Sequence, residues 1–352
     1  MSITINTFYA QSFRGIHVLN DNSAWISGNQ GQVLRFDNDW LKCSPTRLDY
    51  TRKDFRDIHA WNEKIAIVMS AGDSGVILRT TDGGKYWEEV FFDYRDRIFF
   101  DAIEFSNQNP ELGILIGDPI GKGTHFYGLF TLDSGKTWNE FPLELWNICN
   151  YSLSSFFAAS GSSFKIISSR KDHDSNYLAD LILAGHGDSA TEIRIAQIQI
   201  NKETLKVKST LNYSFPIKLP TGDGMGIYSI HQLNDELFLV GGGSWKYPNN
   251  EFNSKVYSSA WLINKDLNSK QLIKASDLSS YQYISGITGY FNSSKDLTWI
   301  AGGTKGILSN NQIINNATQS LKNVNAVSLS ENYLWIIGSQ NLHIRIPLLF
   351  KE

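Results

Sequence analysis

The sequence is poor in cysteine, in proline and in long apolar runs, and each shortage excludes a class of protein. Its 352 residues include 2 cysteines, Cys43 and Cys149, too few and too far apart for a disulfide framework or a cysteine-based metal site. We therefore interpret both as unpaired. The 8 prolines argue against long disordered linkers. No apolar run approaches the ~18 residues of a membrane-spanning helix, so we expect a soluble chain without membrane insertion.

The sequence also has little excess of charge of either sign. The net charge is −3, and no block of like charges marks a surface for nucleic acid or an anionic membrane. Residues 1–10 lack the basic-then-apolar pattern typical of a signal peptide. The sequence leaves the localisation open: periplasmic or secreted if a signal peptide has been removed, and cytoplasmic otherwise.

What the sequence does contain is an internal repeat. Residues 12–17 (SFRGIH) return as residues 54–59 (DFRDIH), which is a shift of 42 residues. Each copy is followed by a polar turn and by an apolar run that ends in glycine or another small residue. Seven such runs occur along the chain: residues 24–28, 66–72, 112–117, 181–185, 237–243, 299–303 and 334–338. A period of this length is typical of the blades of a β-propeller.

The short apolar segments between these signals have the length and composition of strands. Examples are residues 75–80, 126–132, 192–200 and 260–263. No ten-residue stripe at helical spacing is evident. We therefore predict an all-β fold, a seven-bladed β-propeller that forms a single domain over residues 1–352. A β-sandwich is the structural alternative, but it would not require a sevenfold recurrence.

The two ends of the chain suggest how such a propeller would close. The last unit supplies three strands, near residues 324–329, 333–337 and 343–346, and so lacks a fourth. Residues 3–8 alternate apolar and polar side chains like a half-buried strand. We predict that this N-terminal strand completes the last blade and removes two exposed sheet edges.

Two hairpin sequences are nearly identical to each other. Residues 80–87 (TTDGGKYW) and 131–138 (TLDSGKTW) both match the Asp-box pattern, Ser/Thr-x-Asp-x-Gly-x-Thr-Trp. A short Asp side chain can accept hydrogen bonds from the backbone of its own turn, Gly supplies a positive φ, and Trp covers the turn. We predict a structural role for four residues in these boxes: Asp82, Trp87, Asp133 and Trp138. Residues 35–40 look like a shortened copy.

The order of these motifs resembles a known family. The segments FRGI at 13–16, KDFRDI at 53–58, ILRTTDGG at 77–84, GDPI at 117–120 and FAASG at 157–161 are similar to the bacterial proteins related to photosystem II stability/assembly factors. Some of those are labelled oxidoreductase or glycosyl hydrolase. The resemblance is dense from residue 12 to about residue 163. It implies a seven-bladed propeller with Asp-box repeats that acts as a non-catalytic, protein-binding scaffold.

The binding face follows from the way a blade is built. The loop before the innermost strand and the loop after the second strand lie on the same face, where ten polar or aromatic residues collect: Arg14, Arg56, Asp57, Asp73, Asp118, His186, Asp188, Trp245, Tyr247 and Lys305. From these we predict the partner-contacting residues Arg14, Arg56, Asp57, Asp118, His186 and Trp245. The resemblance implies that Arg14 and Arg56 contact the partner. The alternative is that each arginine pairs with a local carboxylate such as Asp57. We expect a protein partner, with a glycan as the other choice, and a monomer.

A sialidase-like glycoside hydrolase, or a carbohydrate-binding propeller, is the second functional hypothesis. Such an enzyme needs three converging arginines, a Tyr nucleophile paired with a Glu, and an Asp acid. The third arginine would be one of Arg95, Arg97, Arg170 or Arg194, but no Tyr and Glu fall in suitable positions.

Cofactor and metal chemistry find less support. An oxidoreductase is disfavoured because no dinucleotide or haem motif is present. His186 and Asp188 would offer only two metal ligands, so we predict no metal and no cofactor.

The predicted closing strand can be tested by deletion. Removing residues 1–10 should lower the melting temperature by several degrees, because the last blade would lose a strand with its apolar burial and its ladder hydrogen bonds. Thermal unfolding followed by circular dichroism measures this. A melting curve that matches the full-length chain would contradict the prediction.

Overall fold

The regular secondary structure is mostly β-strand in the computed structural model, which describes residues 11–72, 74–95, 98–119, 126–142, 145, 155–185, 191–217, 224–244, 259–265, 270–273 and 283–348. Residues 3–8, and with them the predicted closing strand, lie outside this part of the chain, as do Cys149, His186 and Trp245. Within it, seven antiparallel sheets follow one another along the sequence. The all-β prediction is confirmed.

The first four sheets have four strands each. The first two sheets contain β1 (Phe13–Asn20), β2 (Ser23–Gly28), β3 (Val33–Asp37), β4 (Asp39–Lys42), β5 (Asp54–Ala60), β6 (Ala66–Ala71), β7 (Gly75–Thr80) and β8 (Glu88–Asp93). The third and fourth contain β9 (Phe100–Phe105), β10 (Gly113–Pro119), β11 (Phe126–Thr131), β12 (Asn139–Glu140), β13 (Phe164–Lys171), β14 (Tyr177–Gly185), β15 (Thr191–Ile200) and β16 (Val207–Ile217).

The fifth sheet also has four strands, and the last two have three among the described residues. The fifth contains β17 (Met225–Gln232), β18 (Leu237–Ser244), β19 (Ser259–Asn264) and β20 (Lys270–Leu272). The sixth and seventh contain β21 (Ile284–Phe291), β22 (Leu297–Gly303), β23 (Gly306–Ser309), β24 (Val324–Leu329), β25 (Tyr333–Gly338) and β26 (His343–Pro347). Strands that are consecutive in sequence are neighbours in every sheet.

The seven apolar runs of the sequence form the second strand of each sheet, counted along the chain. These strands carry buried side chains on both faces, as in β2 and β6, because each sheet packs between two others. The small residue at the end of the run has a steric cause. A Cβ on Gly28 would clash with the carbonyl oxygen of Ser12, and one on Gly338 would clash with that of Asn323. The chain that leads into the innermost strand crosses there at close range.

The first strand of each sheet lies innermost, and each of these seven strands in the described chain carries a β-bulge. The bulged residue is skipped in the register with the second strand and stands outside the ladder. The seven bulged residues are Arg14, Arg56, Asp101, Ile167, Tyr228, Ser285 and Asn325. A bulge re-aims its side chain, so these residues do not follow the inward and outward alternation of the rest of the strand.

Polar contacts link six of the seven neighbouring pairs of innermost strands, or the segments that lead into them, within the described chain. Asp57 Oδ2 accepts a hydrogen bond from Ile103 N at 2.8 Å, and Lys165 Nζ forms an ion pair with Glu104 at 2.9 Å. Ile230 N donates to the carbonyl oxygen of Ser162 at 2.7 Å. These contacts connect β5 to β9, β9 to β13, and the segment before β13 to β17.

The same kind of contact continues to the other end of the chain. Ser229 Oγ accepts from Ile287 N at 3.0 Å, and Ser285 Oγ donates to the carbonyl oxygen of Val324 at 2.7 Å. Asn325 Nδ2 then donates to the carbonyl oxygen of Phe13 at 2.7 Å. The last innermost strand, β24, therefore contacts the first, β1.

The described residues include a short α-helix that the strand pattern did not predict, besides one 3-10 turn at Leu48–Tyr50. Helix α1 (Gln312–Thr318) follows β23 and packs against it. Asn311 caps the helix, because its side chain accepts from Ile313 N and Ile314 N. Seven residues with two buried side chains are too few for a recognisable helical stripe. No helix in the described residues is long and apolar enough to cross a membrane.

Each of the two near-identical hairpins is closed by its aspartate. Asp133 Oδ1 accepts from the backbone N–H groups of Lys136 and Thr137, both at 3.0 Å, and from the Thr131 hydroxyl at 2.7 Å. Asp82 makes the equivalent three contacts in the first hairpin. Position 134 adopts a positive φ of 61° although it is serine.

The tryptophans of these hairpins face the neighbouring sheet or the core. Trp87 is buried, donates from Nε1 to the carbonyl oxygen of Cys43 at 2.7 Å, and packs edge-on against Trp25. The ring of Trp138 packs edge-on against Phe105 at 6.0 Å. Both hairpins lie at the ends of the third strands, opposite the end at which the innermost strands begin.

The contribution of the hairpin aspartate can be measured with Asp133→Ala. The substitution leaves two turn N–H groups without their acceptor, so the free energy of unfolding should fall by about 1 to 3 kcal/mol. Urea unfolding gives the value. Asp235→Ala is the matched control, because Asp235 is exposed in a turn and has no such bonds. Equal stability of the two variants would rule out the structural role.

Candidate functional site

Two arginines stand where the innermost strands begin, at the end of the channel that we call the mouth. Arg14 and Arg56 are the bulged residues of β1 and β5. Arg56 Nε donates to Asp54 at 2.8 Å, and its Nη1 donates to the carbonyl oxygen of Ala158 at 3.1 Å. The Arg56 guanidinium also lies over the ring of Phe99, 5.6 Å from its centre.

Arg14 is held in a different way. Its Nε is buried and has no hydrogen-bond partner within the described residues. Burial lowers the pKa of Arg14, and the positive charge of Arg56 lowers it further, against the opposing effects of Asp54 and Tyr283. A partly buried cation without a partner is energetically costly, and such groups concentrate at binding sites.

Two carboxyl groups lie beside this arginine pair. Asp101, the bulged residue of β9, is 1% exposed, and its Oδ2 has no partner among the described residues. Asp118 follows on the adjacent strand β10, where its Oδ1 is also unpartnered. Burial raises the pKa of Asp118 to about 7. The pKa of Asp101 lies well above its ordinary value because of burial and the neighbouring charge of Asp118.

Aromatic rings form another part of the mouth. Phe157 stacks on Tyr228 with ring centres 4.2 Å apart, and Tyr228 contacts Tyr283 at 4.9 Å. Tyr228 is the bulged residue of β17, and Tyr283 precedes β21 and influences the pKa of Arg14. The mouth therefore combines cations, carboxyls and an aromatic stack.

Deeper in the channel, a cavity of about 120 Å³ is lined by residues from all seven innermost strands or the segments before them. Its charged and titratable lining consists of His17, Asp57, His59, Glu104, Lys165 and His231. The rings of His17 and His59 meet edge to face at 4.3 Å. The described residues contain no group of three or more potential ligands placed to hold a metal ion.

The enclosure of this cavity changes the protonation of its histidines. Burial lowers the pKa of His17 to about 4, and Lys165 adds to the effect. The pKa of His231 is also lowered to about 4 for the same two reasons. His59 shifts in the same direction through burial and through His17. The three imidazoles are therefore neutral at pH 7.

The structure brings some of the sequence-predicted residues together and separates others. Arg14, Arg56 and Asp118 converge at the mouth. Asp57 lies deeper, 5% exposed, with its carboxylate bonded to the backbone N–H groups of Ile58 and Ile103. The local partner of Arg56 is Asp54 rather than Asp57. The predicted hairpin residues lie at the opposite end.

Sequence reasoning missed Asp101, Tyr228 and Tyr283. A signal for Asp101 exists, because residues 100–103 (FDAI) repeat the pattern of residues 13–16 (FRGI), with Asp101 in the place of Arg14. The two tyrosines had no such signal in the motif, since their stacking depends on how separate sheets meet.

Comparison with known proteins identifies the fold. No family model and no curated protein matches the chain. The solved structure of YCF48 bound to D1 peptide is similar, with a TM-score of 0.54 and 11% identity over 98% of this chain and 96% of that chain. YCF48 from Cyanidioschyzon merolae has a TM-score of 0.51 and 14% identity over 97% of both chains.

A third similar structure comes from a different group of proteins. The WD40 beta propeller domain of Doa1 has a TM-score of 0.52 and 12% identity over 97% of this chain and 94% of that chain. At these identities the likeness defines the architecture alone. The chain is an all-β propeller, which confirms that part of the sequence prediction.

The buried histidines predict a specific pH dependence. His17 binds a proton more weakly in the folded chain than its ordinary value of about 6.5 allows, so the unfolded chain takes up more protons as the pH falls from 6.5 to 4. Acid should therefore destabilise the wild type relative to His17→Gln, by roughly 1 to 3 kcal/mol across this window. Urea unfolding at several pH values measures the difference. The control is His173→Gln, at an exposed position, and a difference that is constant with pH would contradict the argument.

Proposed function

We propose that this chain is a non-catalytic protein-binding propeller whose channel mouth docks an acidic segment of a partner protein. The observation that carries the proposal is the side chain of Arg14, which is partly buried beside Arg56 and whose buried Nε has no hydrogen-bond partner in the described chain. Two neighbouring cations repel each other until an anion lies between them, so the pair favours a carboxylate ligand.

The chemistry of arginine suits this role. A guanidinium offers a planar fork of donors that matches both oxygens of a carboxylate, which a lysine ammonium cannot do. The aromatic stack of Phe157, Tyr228 and Tyr283 offers apolar area next to the cations. Aromatic residues and arginine are enriched at protein interfaces, whereas a flat hydrophobic patch is not required.

A protein partner agrees with one of the structural neighbours, since YCF48 has been solved with D1 peptide bound. Under this proposal Asp118 belongs to the docking site. We propose the same role for His186 and Trp245, which lie outside the described residues. We also propose that the protein is a monomer.

The architecture that we propose in detail has seven blades in one domain over residues 1–352. Contacts between β24 and β1 support a closed ring, and residues 3–8 would add the fourth strand of the last blade. The two hairpins closed by Asp82 and Asp133 would be Asp boxes with a structural role.

Glycoside hydrolysis, or glycan binding, is the competing function. A sialidase-like site needs a third arginine near Arg14 and Arg56. Arg95, however, forms ion pairs with Asp93 on the outermost strand of the second sheet and with Glu140 on the outermost strand of the third. Arg170 lies at the far end of β13. Release of the fluorophore from a fluorogenic sialoside by the wild type, lost in Arg14→Ala, would favour this alternative.

The docking proposal is tested by removing both arginines. A fluorescein-labelled hexaglutamate peptide serves as the probe, with fluorescence anisotropy as the readout. Arg14→Ala/Arg56→Ala should weaken its binding at least tenfold, because two charge-assisted contacts disappear. Arg14→Lys/Arg56→Lys should fall between this variant and the wild type, since lysine keeps the charge and loses the fork.

The matched control removes two positive charges elsewhere. Arg170→Ala/Lys202→Ala changes exposed residues at the far end of the channel and should bind the peptide as the wild type does. Equal weakening in both double variants would show that binding of the peptide depends only on the net charge of the protein. The proposed location of the docking site would then be wrong.

A further inference from the structure

The mouth holds more acidic groups than a site for an acidic ligand would be expected to contain. Asp54, Asp101 and Asp118 lie with Arg14 and Arg56 in one cluster. Asp54 is paired with Arg56, but Asp101 Oδ2 and Asp118 Oδ1 are buried without a hydrogen-bond partner among the described residues. Asp118 accepts a hydrogen bond from the backbone N–H of Phe156, which lowers its pKa but is outweighed by the opposing effect of burial. With all three carboxyls ionised, the cluster would be negative overall and would repel an acidic partner.

Asp101 is the decisive residue in this arrangement. Its side chain stands at a bulge, is 1% exposed, and lies in the field of both Asp118 and Arg56. An ionised carboxylate in such a position would normally collect hydrogen-bond donors, and the described residues supply none to Oδ2. A carboxyl that keeps its proton needs no such donors and can itself donate a hydrogen bond.

We propose that the Asp101–Asp118 carboxyl pair is a proton-binding part of the docking site, so that an acidic partner segment binds together with a proton. The inference rests on the proposed function and specifies its chemistry. The charged groups that face the pair in the described chain are Arg56 directly and Arg14 and Asp54 beyond it, with Tyr283 beside Arg14.

The charge balance explains how the two events are coupled. With both carboxyls protonated, the two arginines and Asp54 leave one net positive charge, which attracts a carboxylate. Loss of one proton from the pair cancels that charge and places an anion near the ligand. Binding of an acidic segment therefore stabilises the protonated pair, and by linkage the protonated pair binds the segment more tightly.

The pH range follows from the acidity of the pair. The pKa of Asp118 is raised to about 7 by burial, while the glutamates of an acidic segment remain ionised well below that pH. Affinity should therefore be highest at mildly acidic pH and fall as the pH rises through neutrality. Arginine keeps its charge throughout this range and contributes no change of its own.

The experiment measures binding of the labelled hexaglutamate peptide by anisotropy between about pH 6 and pH 8.5 at constant ionic strength. The dissociation constant of the wild type should rise about tenfold across this range, which corresponds to a pKa of the carboxyl pair that is about one unit higher in the complex than in the free chain. Isothermal titration calorimetry near pH 7 in two buffers of different ionisation enthalpy should show net proton uptake. This second measurement uses the wild-type chain and does not depend on the folding of any variant.

Asp118→Asn removes the titrating group and keeps its size. The ratio of its dissociation constants at the two pH values should fall close to one, and its proton uptake should disappear. The control is Asp235→Asn, an exposed position far from the mouth in sequence, which should keep the pH dependence of the wild type.

The outcomes separate this inference from the function on which it rests. Binding that is independent of pH and takes up no proton overturns the role of the carboxyl pair and leaves the docking proposal in place. The same pH dependence in Asp118→Asn as in the wild type also overturns it. Absence of peptide binding by the wild type at every pH overturns both.

Discussion

The polar contacts between successive innermost strands are the constraint on which the rest of this molecule depends. Asp57 bridges β5 to β9 through the Ile103 N–H, and Asn325 bridges β24 to β1 through the Phe13 carbonyl group. Between β1 and β5 the chains approach so closely that a Cβ on Gly15 would lie 2.8 Å from Asp57 Cα. Sheets that meet at such fixed points have little freedom to rotate, so the bulged residues at their ends acquire defined positions.

This arrangement accounts for the chemistry of the channel mouth. A bulge releases a side chain from the alternation of its strand, and here it directs Arg14, Arg56 and Asp101 toward a common region. The backbone contacts of the strands supply the rigidity, so the mouth can hold two like charges side by side without collapsing around them. The unpartnered Nε of Arg14 is thus a property of the framework, and the free energy it costs is offset by burial elsewhere in the seven sheets.

The charges in the channel below the mouth are balanced differently from those at the mouth. Lys165 and Glu104 satisfy each other, Asp57 is bonded to two backbone N–H groups, and the three histidines are neutral at pH 7. Charges in this region are therefore compensated within the wall. The mouth is where compensation is incomplete, which is why we propose the binding function there rather than in the cavity.

Much of the architecture was predictable because it depends on local sequence. The 42-residue repeat from SFRGIH to DFRDIH, the seven apolar runs with small residues at their ends, and the turn chemistry around Asp82 and Asp133 all express short-range rules of strands and hairpins. Arg14 and Arg56 were found in the same way, as equal positions of one repeat. Helix α1 was not predicted because seven residues are too few to show a helical pattern of apolar residues.

What only the tertiary structure decided is which side chains meet. Arg56 and Asp118 are far apart in sequence, and Tyr228 and Tyr283 belong to different sheets, so no local pattern specifies their contact. Asp57 is the converse case, because it neighbours Arg56 in sequence and yet its carboxylate accepts a hydrogen bond from the backbone of β9. The sequence by itself determined the repeating strands and the turns that join them, because those follow from neighbours along the chain. The composition of the proposed binding site was decided by the angles at which separate sheets pack around the channel, because side chains remote in sequence converge only once those angles are fixed.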